Sequence, residues 1–407
     1  MTASSDRPHE VDGEGNPWTF RLTLLVMAHM AGTVNIVSVL AMAPVISSDL
    51  HLSATEFGLF VTAYYGAQAF WSIPAGALVD RFGVGWTLGS SHVIMGSGSL
   101  LLVFADSFAV SLGGLFLMGI GYSMTNPATS AGVLAWFPPE RRGTAMGIKQ
   151  VGVPLGGVVA AGNGALVSVV AWQSIMLATA LGIFINGFFC LYLVRFRRPR
   201  KKDEIKSIGN LKVVFRIPRV QLFTLACGLT NVGQTNFFAF LTLFLREAAN
   251  ASQPMAGFAI GLAQASSTFA RIGWGVVSDK WYRRRRGLLM AWICGAAVVL
   301  LGAMVFVQPG WGVWLGLGLA FLLGITIASF APVAQAISVE LVEPRLSGSA
   351  MGYNMTGVYI GGMVGPPVFG AVIDLTGTYA AGWIVTAVLT ALGVGILAIW
   401  FRGKPTD

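Results

Sequence analysis

Long apolar runs recur from one end of this 407-residue chain to the other. A helix of about 20 residues crosses a bilayer core about 30 Å thick, and each run is long enough for that. Only 11% of the residues are charged, whereas a soluble domain carries about 25%. Lipid offers no hydrogen-bond partner to an open sheet edge, so segments this numerous must be helices. The sequence therefore predicts an all-α membrane protein.

We number the twelve runs as spans 1 to 12. They cover residues 22–46, 56–79, 86–105, 109–135, 143–168, 172–194, 220–245, 255–278, 287–307, 311–338, 348–372 and 380–401.

Positive charge is distributed unevenly between the loops. Every Lys and Arg except Lys149, Arg246 and Arg271 lies in a terminal tail or in a loop after an even-numbered span. This positive-inside pattern predicts that both termini are cytoplasmic and that the protein lies in the cell inner (plasma) membrane. The net charge of +9 is then a signal of topology. We expect the lipid bilayer as a partner, no nucleic acid, and a monomer.

The chain also carries an internal repeat. Residues 76–81 resemble 275–280, and residues 143–147 resemble 348–352, in the same order and at nearly constant offset. A basic segment, 196–219, lies between the two copies. We therefore predict two six-helix bundles joined by a cytoplasmic linker. The predicted units are a cytoplasmic tail at 1–21, bundles at 22–195 and 220–401, the linker at 196–219, and a cytoplasmic tail at 402–407.

The loop between spans 2 and 3 carries a recognisable pattern. It resembles the Gly-x-Leu-x-Asp-Arg-x-Gly signature of the major facilitator superfamily through Gly76, Leu78, Asp80, Arg81 and Gly83. The basic pair that usually follows is missing. The resemblance implies two pseudo-symmetric bundles of six helices and transport by alternating access.

The same resemblance implies a cytoplasmic latch. The carboxylate of Asp80 would accept hydrogen bonds from the N-terminus of span 11, where the helix dipole favours a negative charge. Arg81, Arg141 and Arg142 would extend the cluster, and Asp279 is the counterpart of Asp80 in the second half. The alternative is that these charges only anchor the helices at the membrane surface.

Two charged residues lie deep within the spans, and both are cations. Lys149 is about 10 Å inside span 5 and Arg271 about 12 Å inside span 8, at 1.5 Å per residue. Intramembrane charges are costly and usually serve a substrate or ion pathway. The pair therefore predicts a central cavity that attracts an anion. As alternatives, Lys149 snorkels to the interface, and Arg271 bonds only to backbone carbonyls.

The surroundings of Arg271 resemble those in two groups of transporters. Ala270, Arg271 and Gly275 match the span 8 pattern of monocarboxylate transporters and oxalate:formate exchangers. This resemblance implies a small organic anion, in the first place a carboxylate, as the substrate. The chain departs from both groups, because span 11 offers Asn354 where exchangers have a lysine, and no acidic residue lies near Arg271.

Polar and aromatic residues within the spans complete the predicted site. Besides Arg271 and Lys149, the candidates for substrate binding are Tyr64, Gln68, Tyr122, Asn126, Asn231, Gln234, Gln264, Tyr353 and Asn354. His29 and His92 are the candidates for proton coupling, because histidine titrates near neutral pH. Each histidine has the alternative of a hydrogen-bonded packing role.

Several function classes are excluded by what the sequence lacks. It has no nucleotide-binding loop, no metal-ligand spacing and no nucleophile–base arrangement, so we expect no cofactor, no metal and no enzyme activity. The predicted function is secondary transport of an organic anion. Uniport, proton symport and exchange with a counter-anion remain open. The alternatives are a drug or cation exporter, which needs an embedded carboxylate, and a sensor-like member that transports nothing.

Overall fold

The computed structural model describes residues 16–138, 141–196, 213–310, 312–343 and 346–402. The predicted linker therefore lies mostly outside the described residues, as do most of both predicted tails. In the described residues the elements are helices and connecting turns, in agreement with the all-α prediction. The helices are Phe20–Ala41, Ala43–Asp49, Ala54–Val103, Phe108–Trp136, Arg142–Gln150, Gly152–Leu166, Trp172–Leu191, Pro218–Glu247, Gln253–Lys280, Arg286–Ala303, Gly312–Ile325, Ala331–Glu340, Ser347–Thr376 and Tyr379–Trp400.

Spans 2 and 3 form one continuous element that reverses at a glycine. Ala54–Val103 is 50 residues long, and its one non-helical residue is Gly83, with φ 81° and ψ 175°. L side chains are strongly disfavoured in that conformation, so the glycine of the loop 2–3 signature is what allows the sharp turn. The turn places Asp80 and Arg81 at the end of span 2.

Spans 5 and 10 are each broken into two helices by a proline. Pro154 has no N–H for the carbonyl of Gln150, and span 5 stops at Gln150 and restarts at Gly152. Pro332 likewise has no N–H for the carbonyl of Ala328, and span 10 is interrupted between Ile325 and Ala331. Each break leaves a backbone carbonyl without its helical partner.

Six helices in the described residues are individually long and apolar enough to cross a membrane, and they correspond to spans 1, 4, 6, 9, 11 and 12. The other predicted spans fall short for visible reasons. Spans 2 and 3 are merged at Gly83, spans 5 and 10 are broken, and spans 7 and 8 carry more polar residues.

The two halves, spans 1–6 and spans 7–12, meet at one end of the molecule. We call this the far end, opposite the basic end that carries Arg81, Arg141 and Arg286. Asp374 of span 11 accepts hydrogen bonds from the backbone N–H groups of Ala54 and Thr55, which begin span 2. Other bonds between the halves join Thr62 to the carbonyl of Met363, Thr242 to that of Leu40, and Gln253 to those of Ala41 and Gly164.

Glycines on spans 2, 5, 8 and 11 show how the packing changes along these helices. At the far end, a Cβ atom on Gly58 would lie 2.6 Å from the carbonyl oxygen of Pro366, and one on Gly257 would lie 2.8 Å from the carbonyl carbon of Gly164. Toward the basic end, a Cβ atom would meet no other group within 4 Å at Gly76, Gly147, Gly273, Gly275, Gly348 and Gly352. The cleft between the halves therefore opens toward the basic end.

Candidate functional site

Arg271 lies beside the break in span 10. Its Nε and Nη2 groups donate to the carbonyl oxygen of Ala328, at 3.3 and 3.0 Å. This is the carbonyl that Pro332 leaves without a helical partner. Trp274, one turn further along span 8, donates to the carbonyl of Ile325 at 2.8 Å. The bond from Arg271 to a backbone carbonyl, which the sequence analysis kept as an alternative, is therefore present, and it uses some of the Arg271 N–H groups.

The remaining donors of Arg271 are available for a ligand. A guanidinium has five N–H groups, and the two bonds to Ala328 use only Nε and one N–H of Nη2. In the described part of the chain, no Asp or Glu lies within salt-bridge distance of Arg271. The side chain is half-buried, and it interacts electrostatically with the Tyr122 hydroxyl of the other half. Arg271 therefore faces the cleft as a cation without a carboxylate partner.

Four tyrosines cluster where the halves face each other, and one of them, Tyr122, interacts electrostatically with Arg271. The ring centroid of Tyr64 lies 5.3 Å from that of Tyr65 and 6.1 Å from that of Tyr122. Tyr65 in turn lies 6.5 Å from Tyr359 of span 11, so the cluster bridges the two halves. The Tyr64 hydroxyl is buried and has no hydrogen-bond partner among the described residues. We call Arg271 with these four tyrosines the central site.

Lys149 does not share this arrangement. Its side chain is 1% exposed, and its Nζ donates to Asn126 Oδ1 at 3.0 Å, Thr129 Oγ1 at 3.1 Å and Ser130 Oγ at 2.8 Å. All three acceptors lie on one face of span 4. An ammonium has three N–H groups, so these bonds saturate it. The structure directs Lys149 into the first half, neither toward Arg271 nor toward the membrane surface.

The two histidines have different surroundings. His29 Nε2 lies 2.9 Å from Thr129 Oγ1, the same hydroxyl that Lys149 contacts, and its Nδ1 is buried without a partner among the described residues. His92 Nδ1 bonds to the carbonyl of Leu88 and its Nε2 to the Asn186 amide, at 2.7 and 2.9 Å. His92 therefore fits the alternative of a hydrogen-bonded packing role, whereas His29 keeps one ring nitrogen without a hydrogen-bond partner among the described residues.

Other predicted substrate residues are spread over the interior. Gln68 bonds to the carbonyl of Tyr64, one turn before it, and Asn231 bonds to the carbonyl of Val358 within the second half. Gln234 is half-buried on span 7. Gln264 of span 8 lies over Gly157 of span 5, in the contact between the halves.

Two candidates on span 11 lie nearer the basic end. Tyr353 packs edge-on against Phe215, with ring centroids 5.8 Å apart, and so does not join the tyrosine cluster. Asn354 is 1% exposed, and its amide lies beside the Cys227 thiol without a hydrogen bond of full geometry to a described residue. It occupies the position on span 11 that corresponds to Lys149 on span 5 in the internal repeat.

The predicted latch residues all lie at the basic end. Asp80 and Arg81 are exposed, and the guanidinium of Arg81 lies 5.2 Å from the ring of Phe82. Arg141 lies 5.9 Å from the ring of Trp18. Gly76 borders open space.

Two further charged residues at the basic end, Arg142 and Asp279, connect the ends of helices that belong to the same half. Arg142 donates to the carbonyls of Leu134 and Phe137, which end span 4. Asp279 pairs with Arg286 at 2.5 Å, and Arg286 also pairs with Glu340 at the end of span 10. Arg142 and Asp279 therefore connect helices within a half in this conformation.

Sequence reasoning missed several residues that the structure brings forward. Thr129 and Ser130 follow Asn126 by three and four positions, a helical spacing that marks one polar face of span 4 and was visible in the sequence. Asp374 gave no usable signal, because a carboxylate at the end of a span looks like any interfacial charge.

Comparison with known proteins gives the family. The model of the Major Facilitator Superfamily matches residues 23–317 and, in a second match, 223–407. Similar proteins include a probable sulfoacetate transporter of Cupriavidus necator, 25% identical over 93% of this chain and 92% of the relative. A hexuronate transporter of Bacillus subtilis is 25% identical, with 95% and 96% covered. Monocarboxylate transporter 13 of Bos taurus is 27% identical, with 81% and 76% covered.

Solved structures show the same fold. A bacterial homologue of the human lysosomal transporter Spinster, inward-facing and occupied, superimposes with a TM-score of 0.78 at 17% identity, covering 97% of this chain and 99% of that one. FucP in an outward conformation gives 0.64 at 16% identity, covering 96% and 100%. The predicted fold is thereby confirmed, and the chain belongs to the Major Facilitator Superfamily, whose members are transporters rather than enzymes.

Proposed function

We propose that this protein is a secondary active transporter of a small organic monoanion, with Arg271 as the single cation of its substrate site. The observation that carries the proposal is the guanidinium at the cleft, which keeps free N–H donors and lies close enough to Tyr122 of the other half to interact with it electrostatically. A planar fork of donors suits a carboxylate or a sulfonate. The tyrosine rings would enclose the organic part of the substrate.

The chemistry of the named relatives supports an organic anion but not its charge, because sulfoacetate carries two negative charges, on a sulfonate and a carboxylate. Sulfoacetate, hexuronate and monocarboxylates are the organic anions in their names. A preference for one negative charge follows from Lys149, whose three N–H groups are held by span 4. A drug or cation exporter would need a carboxylate within the spans, and both deep charges of this chain are positive.

We further propose the orientation and the moving parts. The Lys- and Arg-rich loops favour the basic end as the cytoplasmic side of the inner (plasma) membrane. The cleft then opens to the cytoplasm in this conformation. Transport would alternate it with a state in which the bundles at 22–195 and 220–401 separate at the far end and close at the basic end, where Asp80 and span 11 form the latch.

Exchange of labelled substrate by protein in liposomes tests the assignment. We expect wild-type protein to exchange at least one small monocarboxylate or sulfonate. Arg271→Gln should abolish exchange, and Arg271→Lys should weaken it strongly, because an ammonium cannot reproduce the bidentate fork. Gln221→Ala is the matched control, because this exposed amide in the first turn of span 7 donates to the carbonyl of Phe215. Substrate affinity unchanged by Arg271→Lys would contradict the role of Arg271.

A further inference from the structure

Lys149 is a buried cation whose hydrogen-bond partners are all neutral. The acceptors are one amide oxygen and two hydroxyls of span 4. In the described part of the chain, no Asp or Glu lies within salt-bridge distance of its Nζ. Hydrogen bonds offset part of the lost hydration, but an unpaired charge at this depth still costs several kcal/mol. Loss of one proton from Nζ would remove that cost.

The pocket around Nζ can satisfy both protonation states. As an ammonium, Lys149 donates to Asn126 Oδ1, Thr129 Oγ1 and Ser130 Oγ. As a neutral amine it has two N–H groups and a lone pair, and the Ser130 hydroxyl can then donate to that lone pair, since a hydroxyl is both donor and acceptor. No buried polar atom is orphaned by the change. A carboxylate in place of Ser130 would instead have fixed the charge.

A second base is connected to the same hydroxyl. Thr129 donates to the carbonyl of Thr125 at 2.8 Å, so its two lone pairs can accept from Lys149 and from His29 Nε2. His29 is then neutral, with its Nδ1 open. A proton on that nitrogen would place two positive charges on either side of one hydroxyl. The pair therefore holds one positive charge.

The ionisable groups around this pair are few. From span 4 the neighbours are Asn126, Thr129 and Ser130, which do not titrate. From span 5 the backbone at Gly152 packs against His29. The described ionisable group that interacts electrostatically with His29 is Lys149.

The acceptors of the Lys149 pocket and Tyr122 of the central site lie on one helix, span 4. Tyr122 of the central site and Asn126 of the Lys149 pocket are four residues apart on span 4, and so lie on one face of it. A monoanion bound at Tyr122 and Arg271 would attract the positive charge on Lys149 across a low-dielectric interior, where such interactions are strong. Anion occupancy would hold the proton, and anion departure would release it.

We propose that Lys149 is the proton-binding site that couples this transporter to a pH gradient, with one proton carried for each monoanion. The inference rests on the proposed function, because a coupled proton needs a transported anion. The proton comes from water on one side and returns to water on the other. No other bond changes, and the movement of one anion with one proton is electroneutral.

Two transport assays separate the two proposals. Exchange of labelled for unlabelled anion needs no net proton movement, whereas accumulation driven by an imposed pH gradient does. We expect wild-type protein to perform both. Lys149→Gln and Lys149→Arg fix the charge at zero and at plus one, so both should exchange anion and neither should accumulate it. His92→Gln is the matched control, because both nitrogens of His92 are already bonded, and it should retain both activities.

The outcomes are distinguishable. Failure of wild-type protein to exchange any organic anion would contradict the proposed function. Exchange in wild-type protein, together with pH-driven accumulation that survives in Lys149→Gln, would overturn the proton site alone. A direct measurement covers variants that do not fold: the same anion added to wild-type protein in weakly buffered detergent should raise the solution pH. No change in pH at saturating anion would also overturn the proton site.

Discussion

Replacing Asp374 by asparagine should shift the protein toward a state that is open at the far end. The carboxylate accepts from the backbone N–H groups of Ala54 and Thr55, at 3.1 and 2.9 Å, and from the Thr55 hydroxyl at 2.5 Å. It thereby places a negative charge at the N-terminus of span 2, the positive end of the helix dipole. Because these bonds join the two halves, they exist only while the far end is closed.

The expected magnitude follows from the number and exposure of these bonds. A charge at a helix terminus contributes about 0.3–1 kcal/mol. A hydrogen bond to a charged group contributes about 1.5–3 kcal/mol, with the lower value applying to an exposed group such as Asp374. Asparagine keeps one acceptor oxygen, so we expect a net loss of about 1–2 kcal/mol. That loss changes the ratio of the two conformations by about 5- to 30-fold.

Distances between spin labels at the far end measure this ratio. Ser168, just after the span 5 helix ends at Leu166, and Gln308, in the loop after span 9, are exposed and belong to different halves. The native cysteines in the described chain are buried and should not label. Double electron–electron resonance measured on spin-labelled Ser168→Cys, Gln308→Cys protein would give the populations of the two conformations, with and without Asp374→Asn.

A matched control and a refuting result are available at the same helix end. Glu56 forms a capping box with Ser53, bonding within the first half in both conformations. Glu56→Gln should therefore weaken the cap without shifting the populations. Equal populations in wild-type and Asp374→Asn proteins, or equal shifts in the Asp374 and Glu56 variants, would refute the reasoning.

Four further changes have defined outcomes. Asp80→Asn should slow turnover with little effect on substrate affinity, if it loosens a latch outside the site; the two quantities come from initial rates and equilibrium binding. Gly83→Ala should lower the melting temperature, because its φ of 81° costs other residues about 1–3 kcal/mol. Lys149→Gln should raise the competition constant of a matched dicarboxylate more than that of a monocarboxylate, because the charge on Lys149 acts on each negative charge bound near Tyr122. Pro332→Ala should raise the melting temperature and slow transport. The backbone N–H that the alanine adds can donate to the carbonyl of Ala328 and so close the break in span 10.

The helices were predictable from the sequence because twelve long apolar runs determine where the spans lie. The interruptions were less predictable: spans 5 and 10 break near Pro154 and Pro332, whereas Pro74, Pro127, Pro366 and Pro367 lie inside helices that continue. The glycine of the loop 2–3 signature, Gly83, allows the sharp turn because glycine adopts a positive φ without steric cost. Of the proposed site, Arg271 and Tyr122 were identified because a charge or a phenol within an apolar span is rare.

The partners of these residues were not predictable in the same way. Lys149 was expected to point into the cavity, and its actual partners lie on span 4. The polar face formed by Asn126, Thr129 and Ser130 is visible as helical spacing, but the neighbour that it faces depends on the rotation of span 5. The acceptor of Arg271 is a backbone carbonyl, and every residue has one. Only the tertiary structure shows which carbonyl is free.

Prolines explain which backbone carbonyls lose their helical hydrogen bond. Two of these carbonyls, those of Met363 and Ala328, accept hydrogen bonds from side chains instead. Pro367 frees the carbonyl of Met363, and Thr62 of the other half donates to it at 2.6 Å. That bond must break when the far end opens. Pro332 frees the carbonyl of Ala328, and Arg271 of the same half donates to it. An unsatisfied carbonyl is costly in lipid, so Arg271 is held in place, while its remaining N–H groups can bind an anion without giving up Ala328. If Arg271 binds the substrate as we propose, it can keep its orientation through the cycle while the contact between the halves changes around it.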